Sequence, residues 1–336
     1  ENHRDRLMRN SANLFAVRLV NFWKEFLHVG AIIECDEYFV CGAGPKKWTA
    51  RAQKDRCNFY FPDFFLTNPK PFFYHEQSVK IKKEPLSALL KDYEKPCSLQ
   101  WSLPDETTYG VQYQRLYELL ETGYLKKGVL YSTKSARVSE VKIGSLLDAA
   151  LINKGSSFLY GFWDPHEGMI GVTPEILFDK NNQGVFLEAL AGTRENEAFN
   201  EKEHREHQIV IDGIENSLSP YGQVSISPTR SVPYGNLMHL STPIHLKTKK
   251  YLSFMDLVQT LHPTPALGTY PKDLGLSWLQ EIDAAIPRIR YGAPVGISSV
   301  EQERCLVAIR NFQWQEGTGR LYAGGGVTID STKESE

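Results

Sequence analysis

The sequence predicts an α+β fold, one large domain over residues 1–336 in which mostly antiparallel sheet and helix alternate irregularly. Three observations carry this. Short apolar runs of strand character (Ala31-Ile32-Ile33, Tyr38-Phe39-Val40, Phe59-Tyr60-Phe61, Gly128-Val129-Leu130-Tyr131) recur, broken by Gly and Pro. Longer stretches with apolar residues three and four apart fall among them. No repeat, low-complexity tract or linker divides the chain.

Taken in order, residues 7–28 carry Leu7, Leu14, Phe15, Val17, Leu19, Phe22, Trp23, Phe26 and Leu27 at helical spacing before Gly30, an amphipathic helix. Residues 31–67 read as short strands. Residues 68–108, rich in Lys, Pro and Glu, read as surface turns with a short helix around Leu86–Tyr93. A helix over Tyr109–Thr122 leads through Gly123 into the strand Gly128–Tyr131. Two hairpins follow, Ser156–Phe162 with Met169–Val172 and Ile176–Asp179 with Gly184–Leu187, turning at Asp164–Gly168 and Asn181-Asn182. Helices are expected at 201–218 and 272–285, and strands at 304–313 and 319–329.

Thirty-eight basic against 40 acidic residues leave a net charge of −2, which gives no support to a nucleic-acid partner. The five cysteines (Cys35, Cys41, Cys57, Cys97, Cys305) form no C-x-x-C pair and read as free thiols of a reducing cytoplasm. No apolar run reaches the ~18 residues of a membrane span, and the charged start Glu1–Arg6 does not read as a signal peptide.

Asn200 followed by Glu203 is a capping pair opening the helix at 201. Within it Glu203, Glu206, His207, Val210 and Ile214 share one face. Carboxylates on a buried face are costly unless they meet a cation, and hard ions such as Mg²⁺ take such ligands. A solvated acidic first turn, favoured by the helix dipole, is the simpler reading of these residues taken alone. Arg310 ends an apolar segment and offers a planar fork to a carboxylate. Gly324, Gly325 and Gly326 let backbone N–H groups approach an anion, or mark a bulged strand.

Several short segments, in this order and spacing, resemble one family, the chorismate-utilising enzymes. They are Lys127-Gly-Val-Leu, Gly171-Val-Thr-Pro-Glu175, Leu190-Ala-Gly-Thr-Arg194, Lys202-Glu-His-Arg-Glu-His207, His239-Leu-Ser-Thr, Leu261-His-Pro-Thr-Pro-Ala-Leu267, Pro271-Lys272, Tyr291-Gly-Ala-Pro-Val-Gly296, Ala308-Ile-Arg310 and Ala323-Gly-Gly-Gly-Val327. The likeness covers residues 120–336, whereas residues 1–110 diverge. It implies large antiparallel sheets packed with helices in a layered α/β sandwich, a soluble, monomeric protein, chorismate as substrate and Mg²⁺ as cofactor.

By the same resemblance Lys127 matches a base that activates water, and Glu175 an acid that protonates the leaving hydroxyl. Such an acid must keep its proton near neutrality, so its pKa is expected to be raised. Glu206 matches a direct metal ligand, with Glu203 one turn earlier and Glu336 in the closing motif. Arg310 and the backbone of Gly324, Gly325 and Gly326 match carboxylate binders. Gly192, Thr193, His239, Ala266 and Leu267 match the pocket lining; His239 equally suits a hydrogen-bonded core position.

Lys127, where ammonia-using members carry Gln, Ala191, where aminodeoxychorismate synthases carry a nucleophilic Lys, and the Leu261–Leu267 segment point to the isochorismate synthase branch, which serves menaquinone and siderophore biosynthesis. Salicylate synthase, or an inactive chorismate-binding relative, is the alternative. Departures are Thr269 for a usual Gly, the inverted order Gly292-Ala293, and Ser132 for a usual Arg. Ser331 and Glu336 match the start of the closing motif, and the natural protein is expected to continue beyond it.

Overall fold

The computed structural model describes residues 20–90, 99–195, 198–235 and 237–333. The predicted N-terminal helix is seen from residue 20 as α1 (20–28), and its earlier part lies outside the described residues. Then come β1 (Gly30–Cys35), β2 (Tyr38–Ala43), β3 (Lys47–Thr49), β4 (Asn58–Tyr60), β5 (Phe72–Tyr74), β6 (Gln77–Lys82) and α2 (Lys83–Leu90). The middle of the chain forms α3 (Glu106–Glu121), β7 (Lys127–Arg137), α4 (Ile143–Asn153), β8 (Phe158–Trp163), β9 (Glu167–Thr173), β10 (Ile176–Asn181) and β11 (Gly184–Arg194). Next are α5 (Glu201–Leu218), β12 (Gly222–Ile226), β13 (Arg230–Tyr234), β14 (Leu237–Thr248), α6 (Phe254–Leu261), β15 (Thr269–Tyr270) and α7 (Leu276–Ala285). The last strands are β16 (Pro294–Ser298), β17 (Glu303–Val307), β18 (Asn311–Gln315) and β19 (Thr318–Thr328).

The strands make two antiparallel sheets. One runs β15-β7-β19-β18-β9-β8-β1-β2-β6; the other runs β12-β14-β11-β10-β17-β16-β4-β5-β3, with β13 added on β14. The inner faces meet through Ile33, Phe61, Phe73, Phe162, Val295 and Leu306. A second cluster (Phe26, Leu86, Leu147, Trp163, Ile170, Trp314) joins α1, α2 and α4 to the outer side of the first sheet. Burying such side chains stabilises by roughly 1.5–3 kcal/mol each. The fold is α+β and mixed, as the sequence predicts.

Four expectations need correction. Residues 68–108 are not only surface turns: β5 and β6 lie there, and β6 closes the edge of the first sheet through Tyr38↔Lys82 to Ala43↔Gln77. Only Val79 and Ile81 along β6 are half-buried, so its apolar signal is faint. The strand expected at 304–313 is two strands in different sheets, β17 and β18. The break falls at Arg310, whose φ of 51° no regular strand admits. The helix expected from 272 begins at Leu276, and the strand at Gly128 runs on to Arg137.

The hairpins have local causes. Asp164 Oδ1 accepts from the His166 and Glu167 N–H groups at 2.9 and 3.0 Å and turns β8 into β9. Asn181 pairs with Gly184 across a two-residue turn between β10 and β11. The Asn200 side chain and Glu203 form a reciprocal capping box at the start of α5.

Candidate active site

Two of the points at which the chain crosses from one sheet to the other are neighbours. Pro174-Glu175 carries β9 into β10, and Ala308–Arg310 carries β17 into β18. The crossings are laced together: Val307 N–H donates to the Glu175 carbonyl at 3.0 Å, and Val172 N–H to the Arg310 carbonyl at 3.2 Å. Glu175 and Arg310, 135 residues apart in sequence, are thereby placed on neighbouring stretches of irregular backbone tied by these bonds.

Around them lies a cavity of about 780 Å³. Its wall includes Lys127, Glu175, Gly192, Thr193, Glu203, Glu206, His239, Ala266, Leu267, Arg310 and Gly324, Gly325 and Gly326. Every site residue expected from the sequence is brought to this one cavity except Glu336, which lies outside the described residues.

Lys127 opens β7, opposite Thr328 of β19 and Tyr270 of β15, and is buried. Its Nζ pairs with Glu206 Oε1 at 3.0 Å. Gly326 makes that meeting possible: a Cβ there would fall 2.2 Å from Glu206 Oε1 and 2.5 Å from Lys127 Cε. Glu175 has no such cation at contact distance among the described residues. Burial pushes its carboxyl up to about 8, and the pull of Lys127 and Arg310 in the opposite direction does not overcome it. The carboxyl is therefore mainly protonated at pH 7.

Arg310 Nη2 donates to His239 Nε2 at 3.0 Å, and His239 Nδ1 meets Thr193 Oγ1 at 3.0 Å. Since the guanidinium can only donate, Nε2 is the acceptor and the proton sits on Nδ1. Burial, and then Arg310, push the ring down to about 4, so it stays neutral. The two readings of His239 merge: it is a satisfied buried histidine on the cavity wall. Gly192 sits at a bulge of β11 with φ +71°, against Glu203 of α5.

Glu203 is engaged twice. Its Oε2 accepts from Asn200 N–H at 3.0 Å and its Oε1 from Arg194 at 3.1 Å. Burial raises its pKa, yet these donors outweigh it and hold the group below its usual value. The acidic face of α5 is thus both a capped first turn and part of the cavity wall. Oxygen donors of this kind suit a hard divalent ion. Among the described residues, however, no three His, Cys, Asp or Glu side chains stand together as a metal cluster.

Sequence reasoning assigned no role to Tyr291, Tyr322, Asp330 or Arg194, which also line the cavity. Tyr291 and Tyr322 stack with ring centroids 5.1 Å apart. Both lie beside quoted motifs, at the start of the Tyr291–Gly296 segment and next to the glycine run, which was the available signal.

The chain's two sheets thus share a cavity lined by a buried lysine, a glutamic acid with a raised pKa and a helix-borne carboxylate pair. The family described as chorismate binding enzyme matches residues 70–336, and the chain belongs to it. Among curated relatives, isochorismate synthase MenF of Bacillus subtilis is 30% identical over 212 residues, covering 58% of this chain and 45% of that protein. Anthranilate synthase component 1 of the same organism is 25% identical over 236 residues, covering 63% of this chain and 45% of that protein. The chain spans about half the length of these curated relatives. The structure of MenF, the menaquinone-specific isochorismate synthase of Escherichia coli, superimposes with a TM-score of 0.74 at 18% identity, over 93% of this chain and 86% of that one. That likeness shows the shared fold.

Proposed function

We propose that this chain carries the active site of a Mg²⁺-dependent isochorismate synthase. Water adds at C2 of chorismate while the C4 hydroxyl leaves and the ring double bonds shift between them. Lys127, released from its ion pair with Glu206 as the neutral amine, takes the proton that the new C2–O bond releases. Glu175 donates its proton to the departing oxygen, which leaves as water. The observation that carries the reading is the protonated Glu175 sharing a cavity with Lys127, the acid and base that this exchange requires.

Arg310, fixed through His239 and Thr193, and the open backbone of Gly324, Gly325 and Gly326 would hold substrate carboxylate. Mg²⁺ would neutralise carboxylate charge at the ring, held by Glu206, with Glu203 beside it and Glu336 of the closing motif as further carboxylates that the resemblance implies. Ala191 offers no nucleophile, which favours water over an enzyme-bound intermediate. Lys127 favours water over ammonia.

The test is product chromatography after the full chain is incubated with chorismate, Mg²⁺ and an ammonium salt. Isochorismate is the expected product. Anthranilate or salicylate would reassign the reaction within the family, and unchanged chorismate would leave a binding protein. Lys127→Ala is expected to abolish turnover while the protein melts within a few degrees of wild type.

A further inference from the structure

Arg288 follows α7 and is fully buried. Arginine keeps its charge in any protein environment. Yet among the described residues no carboxylate lies within ion-pairing distance of this guanidinium, and Nε and Nη2 have no hydrogen-bond partner. Nη1 makes one long contact, 3.4 Å, to the Leu267 carbonyl. Asp283 accepts from the Arg288 backbone N–H at 2.9 Å. The guanidinium is held instead between two rings, 3.9 Å from the centroid of Phe64 and 4.2 Å from that of Tyr131.

Removing a charge from water without a counter-ion is costly, and stacking on two ring faces recovers only part of that cost. Asp283, on the Arg288 backbone N–H, offsets part of this charge, and the positive field that remains acts on whatever lies near. Its neighbours are the cavity wall: Leu267 and Tyr291 line the cavity, and the Tyr131 ring lies 5.7 Å from that of Tyr291. The field reaches that wall. Burial pushes the Tyr291 hydroxyl up to about 12, and of the charges around it Arg288 pulls back most strongly.

We propose that Arg288 is a specificity determinant for doubly charged carboxylate ligands, a buried cation behind the cavity wall that favours them over neutral ones of the same shape. It touches no reacting atom and acts through the field at the wall, so it is a positioning residue. The inference rests on the reading of the ligand as chorismate, which bears two carboxylates.

Calorimetry on the full chain with Mg²⁺, titrating chorismate and its dimethyl ester, tests it. Arg288→Met keeps the bulk and removes the charge; Arg288→Lys keeps the charge and removes the planar stack. Arg288→Met is expected to bind chorismate about tenfold more weakly, about 1.4 kcal/mol, with ester binding unchanged. Arg288→Lys should keep the preference for chorismate over its ester to within about threefold. Equal loss of both ligands in Arg288→Met marks a structural role and overturns the proposal, as does an unchanged preference. Should Arg288→Met fail to fold, Arg288→Lys decides: a kept preference supports the charge, a lost one overturns it. A wild-type chain that binds the ester as well as chorismate contradicts the Arg288 proposal alone. One that binds neither overturns the functional reading with it.

Discussion

At the scale of single residues the site depends on who holds which proton. Glu175 binds a proton in the folded chain up to about pH 8, whereas an ordinary glutamate releases it near 4.5. Turnover should therefore fall as pH rises through about 8, and Glu175→Gln should lose that limb along with most activity; a limb that persists in the variant assigns it to another group. The same raised pKa costs stability, because between about 4.5 and 8 the folded state binds more protons here than the unfolded chain. The melting temperature of wild type relative to Glu175→Gln should thus decline across that window, read by thermal melts at pH 5 and 8. Lys127 competes with any cation for Glu206. Lys127→Met should consequently tighten Mg²⁺ binding at least threefold in calorimetry, and weaker binding would contradict the proposed metal role of Glu206. Gly326→Ala inserts a methyl group against both side chains and should lower turnover ~100-fold with little change in melting.

Elements show where the sequence was readable. The helix at Glu201–Leu218 follows from a capping pair and a periodic face, both local signals, and the structure reproduces its bounds. Asn200→Ala should destabilise the chain by about 1 kcal/mol in urea melts through loss of the cap. The segment 304–313 misled for an equally physical reason. Leu306, Val307, Ala308 and Ile309 are apolar throughout, so nothing in their pattern marks a change of sheet; a positive φ at a non-glycine residue does, and composition does not report it. Glu175 and Arg310 were legible as motif members, whereas their hydrogen-bonded crossings were not. The pairing of Tyr291 with Tyr322 likewise arises between elements.

For the whole molecule, strand order was beyond the sequence, because each sheet is assembled from pairings that skip along the chain, such as β7 with β19 and β16 with β4. The fold class and the set of cavity residues were legible all the same, since the motifs are fixed points that the sheets need only bring together. Away from the cavity, Arg304 ties the sheets, reaching Asp179 of β10 at 2.6 Å and Asp36 beyond β1 at 2.6 Å. Arg304→Met should cost about 2 kcal/mol in a denaturant melt, less than a fully dry pair because Asp36 and Asp179 keep solvent contact. Chorismate binding by the folded variant should be unchanged.

The central claim is that one cavity delivers water to one face of the substrate ring while a carboxylic acid releases a hydroxyl elsewhere on it. Mass spectrometry after incubation of the full chain with chorismate and Mg²⁺ in ¹⁸O-water addresses this directly. Isochorismate carrying one ¹⁸O, at C2, is expected. Isochorismate formed without the label, or chorismate returned intact, would contradict it.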